Sequence, residues 1–250
     1  MRVLGISGSL RRDSYNTSLL RHAGDLFEAE GAEFEIYNGL RDIPPYDEDY
    51  DTEDAPDAVS RIREEVRDAD ALFFVTPEYN SSIPGALKNA LDWLSRPFAS
   101  NPLRYKPVAV IGASSGMFGA VWAQAELRKV LGSIGARVTE GEVAVGNAGE
   151  RFENGRLNEP NLEQEVHAVV TTLLDDARFA TSSQPSDNTV LSSRFASLVL
   201  IVGAIEKRSP APSGSLRGPP GGDATAWELP VGFAECVVEP VEHDLVCACQ

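Results

Sequence analysis

Cysteine is scarce in this sequence and is confined to its C-terminal end. Cys236, Cys247 and Cys249 are the three cysteines, and they form no C-x-x-C pair. An odd number of cysteines in such a segment argues against both a disulfide framework and a zinc site. Residues 1–180 contain no cysteine. Redox chemistry in that part of the chain therefore requires a cofactor, because no thiol is available.

The chain is also poor in positive charge and in long apolar runs. It has 22 lysines and arginines against 38 aspartates and glutamates, a formal net charge of −16. Such an acidic surface repels nucleic acid and anionic membranes, so neither is expected as a partner. The longest apolar run, residues 195–205, has about half the residues needed to span a bilayer. No signal sequence is recognised. These observations predict a soluble cytoplasmic protein.

Composition divides the chain near Ala180. Residues 181–250 hold 7 of the 16 prolines and no tyrosine, whereas residues 1–180 alternate between strand-like and helix-like patterns. We therefore expect one folded domain over residues 1–180 and a low-complexity, largely disordered extension over residues 181–250. An alternative for the apolar run in the extension is that it docks on the domain or on a partner.

Five apolar strands alternate with five amphipathic helices within residues 1–180. The predicted strands cover residues 3–6, 34–37, 71–75, 108–111 and 137–145. The predicted helices cover residues 17–30, 58–69, 124–134 and 159–174, with one more after Pro84. Alternation with short connections predicts a parallel sheet covered by helices on both faces. In such sheets ligands bind beyond the carboxyl ends of the strands.

The loop after the first strand has the composition of a phosphate site. Serines, a glycine and two arginines precede the first helix, and free N–H groups at a helix start favour anions. The candidate donors are Ser9, Arg11, Ser14, Asn16 and Thr17. Ser, Asp and Asn before a helix are also ordinary N-caps, which is the alternative interpretation. The loop matches neither the G-x-G-x-x-G dinucleotide pattern nor the Walker pattern, so a mononucleotide phosphate fits better.

Two further unusual loops follow later strands. Residues 77–83 come directly after the apolar strand 71–75, and the glycine-rich residues 112–119 follow strand 108–111. All three loops leave carboxyl ends of predicted parallel strands, where they are expected to meet. Their convergence favours a ligand site over unrelated structural turns. The acidic, proline-rich segment at residues 40–59 is interpreted as a solvated face rather than a metal site.

Four motifs give the sequence a family resemblance. They are GSLRRDSYN at residues 8–16, LRDIPPYDED at 40–49, PEYNSSIPGALKNALDWLSRP at 77–97 and GASSGMFGA at 112–120. With these motifs, residues 1 to about 178 resemble the NADPH-dependent FMN reductase family, which includes quinone, chromate and azo-dye reductases. The resemblance implies a flavodoxin-like, three-layer α/β sandwich with a five-stranded parallel sheet in the order 2-1-3-4-5.

The resemblance also implies FMN as cofactor and NADPH or NADH as co-substrate, with hydride passing through the flavin to a small acceptor. The FMN phosphate is then expected at the five donors of the first loop. The residues expected to line the isoalloxazine are Pro77, Glu78, Tyr79 and Asn80 on one side and Ser114, Ser115, Gly116 and Gly119 on the other. No side chain is expected to act as a catalytic acid, and no metal is expected. Arg96 and Arg128 are candidates for the nicotinamide phosphates, and a homodimer or homotetramer is expected.

Two other functions are considered. A flavodoxin-type electron carrier would bind FMN without its own NAD(P)H site, and the acidic surface suits docking to a basic partner. A hydrolase is suggested by residues 112–116, which match the G-x-S-x-G pattern of a nucleophile elbow. Its remaining members would have to be Asp175 or Asp176 with His243.

Overall fold

A computed structural model of the chain describes residues 1–52 and 54–182. The helices are α1 (Tyr15–Ala29), α2 (Asp57–Asp68), α3 (Gly85–Leu94), α4 (Val121–Ile134), α5 (Ala148–Arg151) and α6 (Pro160–Ser182). The strands are β1 (Arg2–Ser7), β2 (Glu33–Tyr37), β3 (Ala71–Thr76), β4 (Pro107–Ala113), β5 (Arg137–Val138), β6 (Ala144–Val145), β7 (Phe152–Glu153) and β8 (Arg156–Leu157). The predictions for the cysteines and for the run 195–205 lie outside the described residues.

The strands form a parallel sheet in the order β2-β1-β3-β4-β5. Both faces are covered by helices, so the expected flavodoxin-like sandwich and its strand order are confirmed. Every residue of β3 and β4 is buried, whereas the edge strand β2 is partly exposed. This pattern explains why the two central strands consist of apolar or small residues, while β2 alternates with glutamate.

Two apolar cores lie on opposite faces of the sheet. On one face, Leu72 and Phe74 of β3 pack with side chains of α2, α3 and α4. On the other face, Phe73 and Val75 pack with side chains of α1 and α6. The alternation along β3 follows from the two-residue period of a strand. The sheet is thus held rigidly from both sides, and the loops at its carboxyl edge start from fixed positions.

The expected single strand at residues 137–145 is wrong in one respect, because the structure divides it into β5 and β6. The two pieces both pair with β4, one near Pro107 and the other at Gly112. Gly141 lies between them with a φ of 105°, which takes the chain out of the sheet. The carbonyl of Val110 faces this gap. It accepts a hydrogen bond of 2.7 Å from the guanidinium of Arg128, where a continuous strand would have supplied a backbone N–H.

Other differences concern the helix ends and one hairpin. The last helix continues to Ser182, eight residues beyond its expected end at residue 174, and so it passes the expected domain boundary at Ala180. Strands β7 and β8 form a hairpin that was not predicted. Its turn is Asn154-Gly155 with φ values of 51° and 78°. Asn-Gly is a strong hairpin signal, so the sequence did contain the information.

The segment with the IPPYDED motif packs against α3 through polar contacts. Asn89 donates to the carbonyl of Pro44 at 2.8 Å and accepts from the N–H of Tyr46 at 2.7 Å. The indole of Trp93 donates to the same Pro44 carbonyl at 2.9 Å. These contacts fix an irregular, proline-rich segment whose backbone has few partners of its own. Within residues 1–52 and 54–182, no helix is both long and apolar enough to cross a membrane.

Candidate functional site

A cavity of about 410 Å³ opens at the carboxyl ends of β1, β3 and β4. It is lined by Ser9, Arg11, Ser14, Tyr15, Asn16, Pro77, Glu78, Tyr79, Ala113, Ser114 and Ser115. Nine of the thirteen site residues named from the sequence are therefore brought together. The other four, Thr17, Asn80, Gly116 and Gly119, do not line it.

The β1–α1 loop supplies the polar end of the cavity. Ser14 is the N-cap of α1, and its hydroxyl accepts from the N–H of Asn16 at 3.2 Å. The N–H groups of Tyr15 and Thr17, in the same first turn, have no acceptor within the described part of the chain. The guanidinium of Arg11 lies 5.5 Å from the centre of the Tyr15 ring. This end therefore offers free donors and one arginine to an anion.

Asn16 connects the first loop to the third. Its Nδ2 donates to the carbonyl of Ala113, and its Oδ1 accepts from the Ala113 N–H, both at 2.9 Å. The residue is buried, so the two bonds are shielded from water. Asn16 thus holds the end of β4 against α1, a positioning role in addition to the donor role predicted from the sequence.

Thr17 faces away from the cavity. Its hydroxyl lies 3.1 Å from the hydroxyl of Ser7, and the residue borders a separate hollow on the other side of the loop. Its side chain therefore does not reach the cavity, although its backbone N–H belongs to the same free first turn of α1.

The β3–α3 loop contains a tight turn from Tyr79 to Ser82. The backbones of these two residues exchange hydrogen bonds of 3.0 and 3.1 Å, while Asn80 and Ser81 both have positive φ values. Asn80 is exposed at the tip of the turn, which is the ordinary place for asparagine in such a geometry. Tyr79 remains half-exposed at the mouth of the cavity and presents an aromatic ring there.

Glu78 joins the second loop to α4. Its Oε2 accepts from the backbone N–H groups of Trp122 at 3.1 Å and Ala123 at 3.2 Å. The N-cap position of α4 is Ala120, which has no side chain able to cap. The carboxylate therefore satisfies two free donors at the positive end of this helix, where a negative charge is favoured.

The β4–α4 loop forms the third wall. The Ser114 hydroxyl accepts from the N–H of Gly116 at 3.0 Å, and both Ser114 and Ser115 line the cavity. Gly119 has a φ of 59°, and a Cβ there would lie 2.4 Å from the backbone of Ala144. Gly119 therefore allows this loop to pack closely against β6. Gly116, in contrast, is exposed.

The role predicted for Arg96 and Arg128, contact with the nicotinamide phosphates, stays a prediction. Arg128 donates to the carbonyls of Val110, Thr139 and Gly141 and fastens α4 to the gap between β5 and β6. Arg96 is exposed and follows the end of α3, a ten-residue helix. Neither residue lines the cavity.

The hydrolase interpretation also fails on geometry. A nucleophile elbow places its serine in a sharp turn directly between strand and helix. Here β4 ends at Ala113 and α4 begins only at Val121, so Ser114 starts an extended loop. Of the histidines within the described residues, His22 lies beside Glu163 and His167 beside Glu30. His243 lies outside the described residues.

The sequence interpretation missed several residues at the site. Tyr15 lines the cavity and stacks with Arg11, although it stands between two residues that were named. Phe118 and Trp122 lie beside the third wall, largely exposed, with ring centres 5.0 Å apart. The available signal was the cluster of large apolar residues in and after a glycine-rich loop, since an apolar patch beside a site often contacts a ligand or partner.

Comparison with known proteins identifies the chain. Residues 1–150 match the family described as NADPH-dependent FMN reductase. The chain belongs to this family. The expected family, enzyme class and cofactor are therefore confirmed, and this FMN reductase is an FMN-dependent NAD(P)H oxidoreductase.

Individual members of the family are similar over most of their length. The reductase is 45% identical over 159 residues to an NAD(P)H-dependent FMN reductase of Pseudomonas aeruginosa, which covers 63% of this chain and 84% of that protein. It is 38% identical over 159 residues, with the same coverage, to a quinone reductase of Pseudomonas putida. Among solved structures, the flavoenzyme NAD(P)H:(acceptor) oxidoreductase FerB of Paracoccus denitrificans matches with a TM-score of 0.62 and 34% identity, covering 70% of this chain and 98% of FerB.

The donor set of this FMN reductase fits a flavin mononucleotide. The free N–H groups of Tyr15 and Thr17, with Arg11 beside them, suit a phosphate. Tyr79 provides an aromatic face at the other end of the cavity. The volume of about 410 Å³ lies within the range of small-molecule sites. Within the described residues, no group of three or more His, Cys, Asp or Glu could hold a metal ion.

Proposed function

We propose that this reductase passes electrons from NAD(P)H to a small, flat, quinone-type acceptor, and that both substrates bind in turn at the same face of the flavin. Relatives described as a quinone reductase and as a 2-hydroxy-1,4-benzoquinone reductase support this acceptor class. Bound FMN would supply the hydride chemistry between NAD(P)H and the acceptor, and the residues that line the cavity, Arg11, Ser14 and Tyr79 among them, would hold it. The cavity that joins all three carboxyl-end loops is the single observation that carries the proposal.

At the polar end, we assign the phosphate to the first turn of α1. Ser9 and Arg11 border the cavity beside the free N–H groups of Tyr15 and Thr17, and Ser14 completes the turn. Asn16 acts indirectly, because its bonds to Ala113 set the distance between the phosphate loop and the third wall. Helix-start amides with an arginine provide charge-assisted hydrogen bonds without a metal.

At the other end, we assign the ring-binding role to Pro77, Tyr79, Ser114 and Ser115. A proline and an aromatic ring favour a flat apolar ligand, while the serines and neighbouring backbone groups can bond its polar edge. Glu78 also borders the cavity, but its carboxylate is already bonded to the start of α4. We therefore give it a positioning role and assign no side chain as catalytic acid.

We propose further that the enzyme is a cytoplasmic homodimer or homotetramer whose reductase domain spans residues 1–180. Met117, Phe118 and Trp122 are exposed in a row beside the cavity, with Met117 at 69% exposure. An apolar surface of this kind is typical of a contact with another molecule. Light scattering of the full chain, compared with a Phe118→Ser variant, tests whether these residues support the assembly.

The test of the reaction is anaerobic addition of NADPH to the FMN-loaded full chain, followed by a benzoquinone. We expect the flavin absorption to bleach after NADPH and to return when the quinone is added. Free FMN without protein is the control. Flavin absorption bands that persist after NADPH is added would instead support a flavodoxin-type electron carrier. The net charge of −16 would suit such a carrier, because it favours docking to a basic partner protein. Chromate or an azo dye in place of the quinone tests the acceptor class.

A further inference from the structure

A second, strongly basic cavity lies on the other side of the first loop. This arginine hollow, of about 220 Å³, is lined by Arg11, Arg12, Arg21 and Arg41, together with Ser9, Tyr37 and neighbouring residues. Four of these residues are arginines, and no carboxylate lines the hollow within the described part of the chain. This concentration of positive charge is unusual in a chain with a formal net charge of −16.

The arginines of the hollow take part in no ion pair within the described residues. Among the ion pairs within the described residues, none includes Arg11, Arg12, Arg21 or Arg41. Four arginines that share one cavity and form no ion pair are a ready site for an anion with several oxygen atoms.

Local contacts hold part of this arrangement in place. The Nη2 of Arg41 donates to the carbonyl of Leu10 at 2.7 Å, which joins the segment after β2 to the phosphate loop. Arg11 is steadied by the Tyr15 ring. Arg21 lies one helical turn after Thr17 on α1, so both residues face the same side. Burial raises the pKa of the Tyr37 phenol, which stays protonated and can donate.

The position of the hollow connects it with the co-substrate. Ser9 and Arg11 border both cavities, so the hollow adjoins the proposed phosphate end of the flavin site. It also lies at the carboxyl ends of β1 and β2, where ligands of parallel sheets bind. The two arginines expected from the sequence to bind the nicotinamide phosphates, Arg96 and Arg128, lie elsewhere.

We propose that the arginine hollow binds the 2′-phosphate of NADPH and so makes the enzyme select NADPH over NADH. The inference rests on the proposed use of NAD(P)H at the adjoining cavity. The two co-substrates differ only in this phosphate, a dianion whose oxygens match the forked donors of arginine. Arg12, Arg21 and Arg41 are then specificity-determining residues, while Arg11 is shared with the flavin phosphate.

The test compares kcat/KM for NADPH and NADH in the FMN-loaded full chain and in Arg21→Gln and Arg41→Gln variants. We expect the parent enzyme to prefer NADPH, and each variant to lower the NADPH-to-NADH ratio roughly tenfold, the loss typical of one charged hydrogen bond. Arg21 is exposed on a helix where glutamine is equally well tolerated, so that variant should fold normally. Arg137→Gln, an exposed arginine on β5 away from the hollow, is the matched control and should leave the ratio unchanged.

A binding measurement separates failure of this inference from failure of the proposed reaction. Calorimetry on the same protein should show adenosine 2′,5′-bisphosphate binding roughly tenfold more tightly than adenosine 5′-monophosphate, and Arg21→Gln should abolish the difference. Equal binding of the two nucleotides, or an unchanged NADPH-to-NADH ratio in both variants, overturns the inference. A parent enzyme that oxidises neither co-substrate contradicts the proposed reaction, and the nucleotide comparison still decides the role of the hollow.

Discussion

The carboxylate of Glu78 accepts a hydrogen bond of 3.1 Å from the backbone N–H of Trp122, 44 residues further along the chain. Through this contact the loop after β3 supplies the cap that α4 lacks in its own sequence, since the cap position is Ala120. Two walls of the cavity are thereby held at a fixed separation. A residue expected to contact the flavin ring is thus also the residue that positions the neighbouring wall.

Replacing Glu78 tests this capping role. Glu78→Ala removes both hydrogen bonds and is expected to lower the free energy of unfolding by roughly 1–2 kcal/mol. Glu78→Gln keeps an acceptor oxygen but loses the charge, so its loss should stay below about 1 kcal/mol. Urea unfolding followed by circular dichroism measures both. Glu64→Ala, an exposed glutamate on α2, is the control, and a loss equal to that of the control would contradict the role.

Arg128→Met tests whether this arginine is structural or binds the co-substrate. The side chain donates to the carbonyls of Val110, Thr139 and Gly141, which close the gap between β5 and β6. Its removal leaves these acceptors without partners and is expected to cost roughly 2–3 kcal/mol of stability. The KM for NADPH should not change. Lys129→Met, the exposed neighbour, is the matched control. A raised KM with unchanged stability would support the role expected from the sequence.

The fold and the location of the site could be predicted because they follow from local pattern. Five apolar strands that alternate with amphipathic helices allow few arrangements, and carboxyl-end loops must then meet. The role of Asn16 could not be predicted in the same way, because its partner Ala113 is 97 residues away. The composition of the loop equally suits a phosphate donor, an N-cap and a link between loops.

The division of the last strand shows the same limit. Residues 137–145 combine valines with glutamates in a pattern typical of an exposed strand, and Gly141 was the one local sign that the strand is interrupted. The break depends on Gly141 leaving the sheet and on Arg128 of another element replacing the strand's hydrogen bond to Val110. The Asn154-Gly155 turn is different, since its signal was present in the sequence.

The stability of the fold should depend on pH through His22. This residue lies in α1 with both ring nitrogens buried and without hydrogen-bond partners. Burial lowers the pKa of the imidazole from its ordinary 6.5, and Arg156 adds to this effect, while Glu163 and Asp25 oppose it. The unfolded chain therefore binds a proton at a higher pH than the folded chain. The contribution of His22 to the free energy of unfolding should fall as the pH decreases from about 6.5 toward the lowered pKa, and should level off below it.

The contribution of His22 can be isolated by difference. His22→Leu removes the titrating group and its unpaired polar atoms, so the variant should lose less stability than the parent between about pH 7 and pH 5. Urea unfolding at each pH measures the two curves, in which the carboxylates titrate equally. Parallel curves for parent and variant would mean that His22 is protonated equally in the folded and unfolded chains.

The phosphate assignment is tested by comparing FMN with riboflavin, which lacks the phosphate. Arg11 lines the cavity beside the free N–H groups of α1 and is held by the Tyr15 ring. Arg11→Gln should weaken FMN binding roughly tenfold, because one charged hydrogen bond is lost, and should leave riboflavin binding nearly unchanged. Quenching of flavin fluorescence measures both dissociation constants, with Arg137→Gln as control. Equal weakening of FMN and riboflavin binding would show that Arg11 supports the ring end of the cavity or the loop as a whole. Unchanged FMN binding would indicate that the phosphate binds in another part of the cavity.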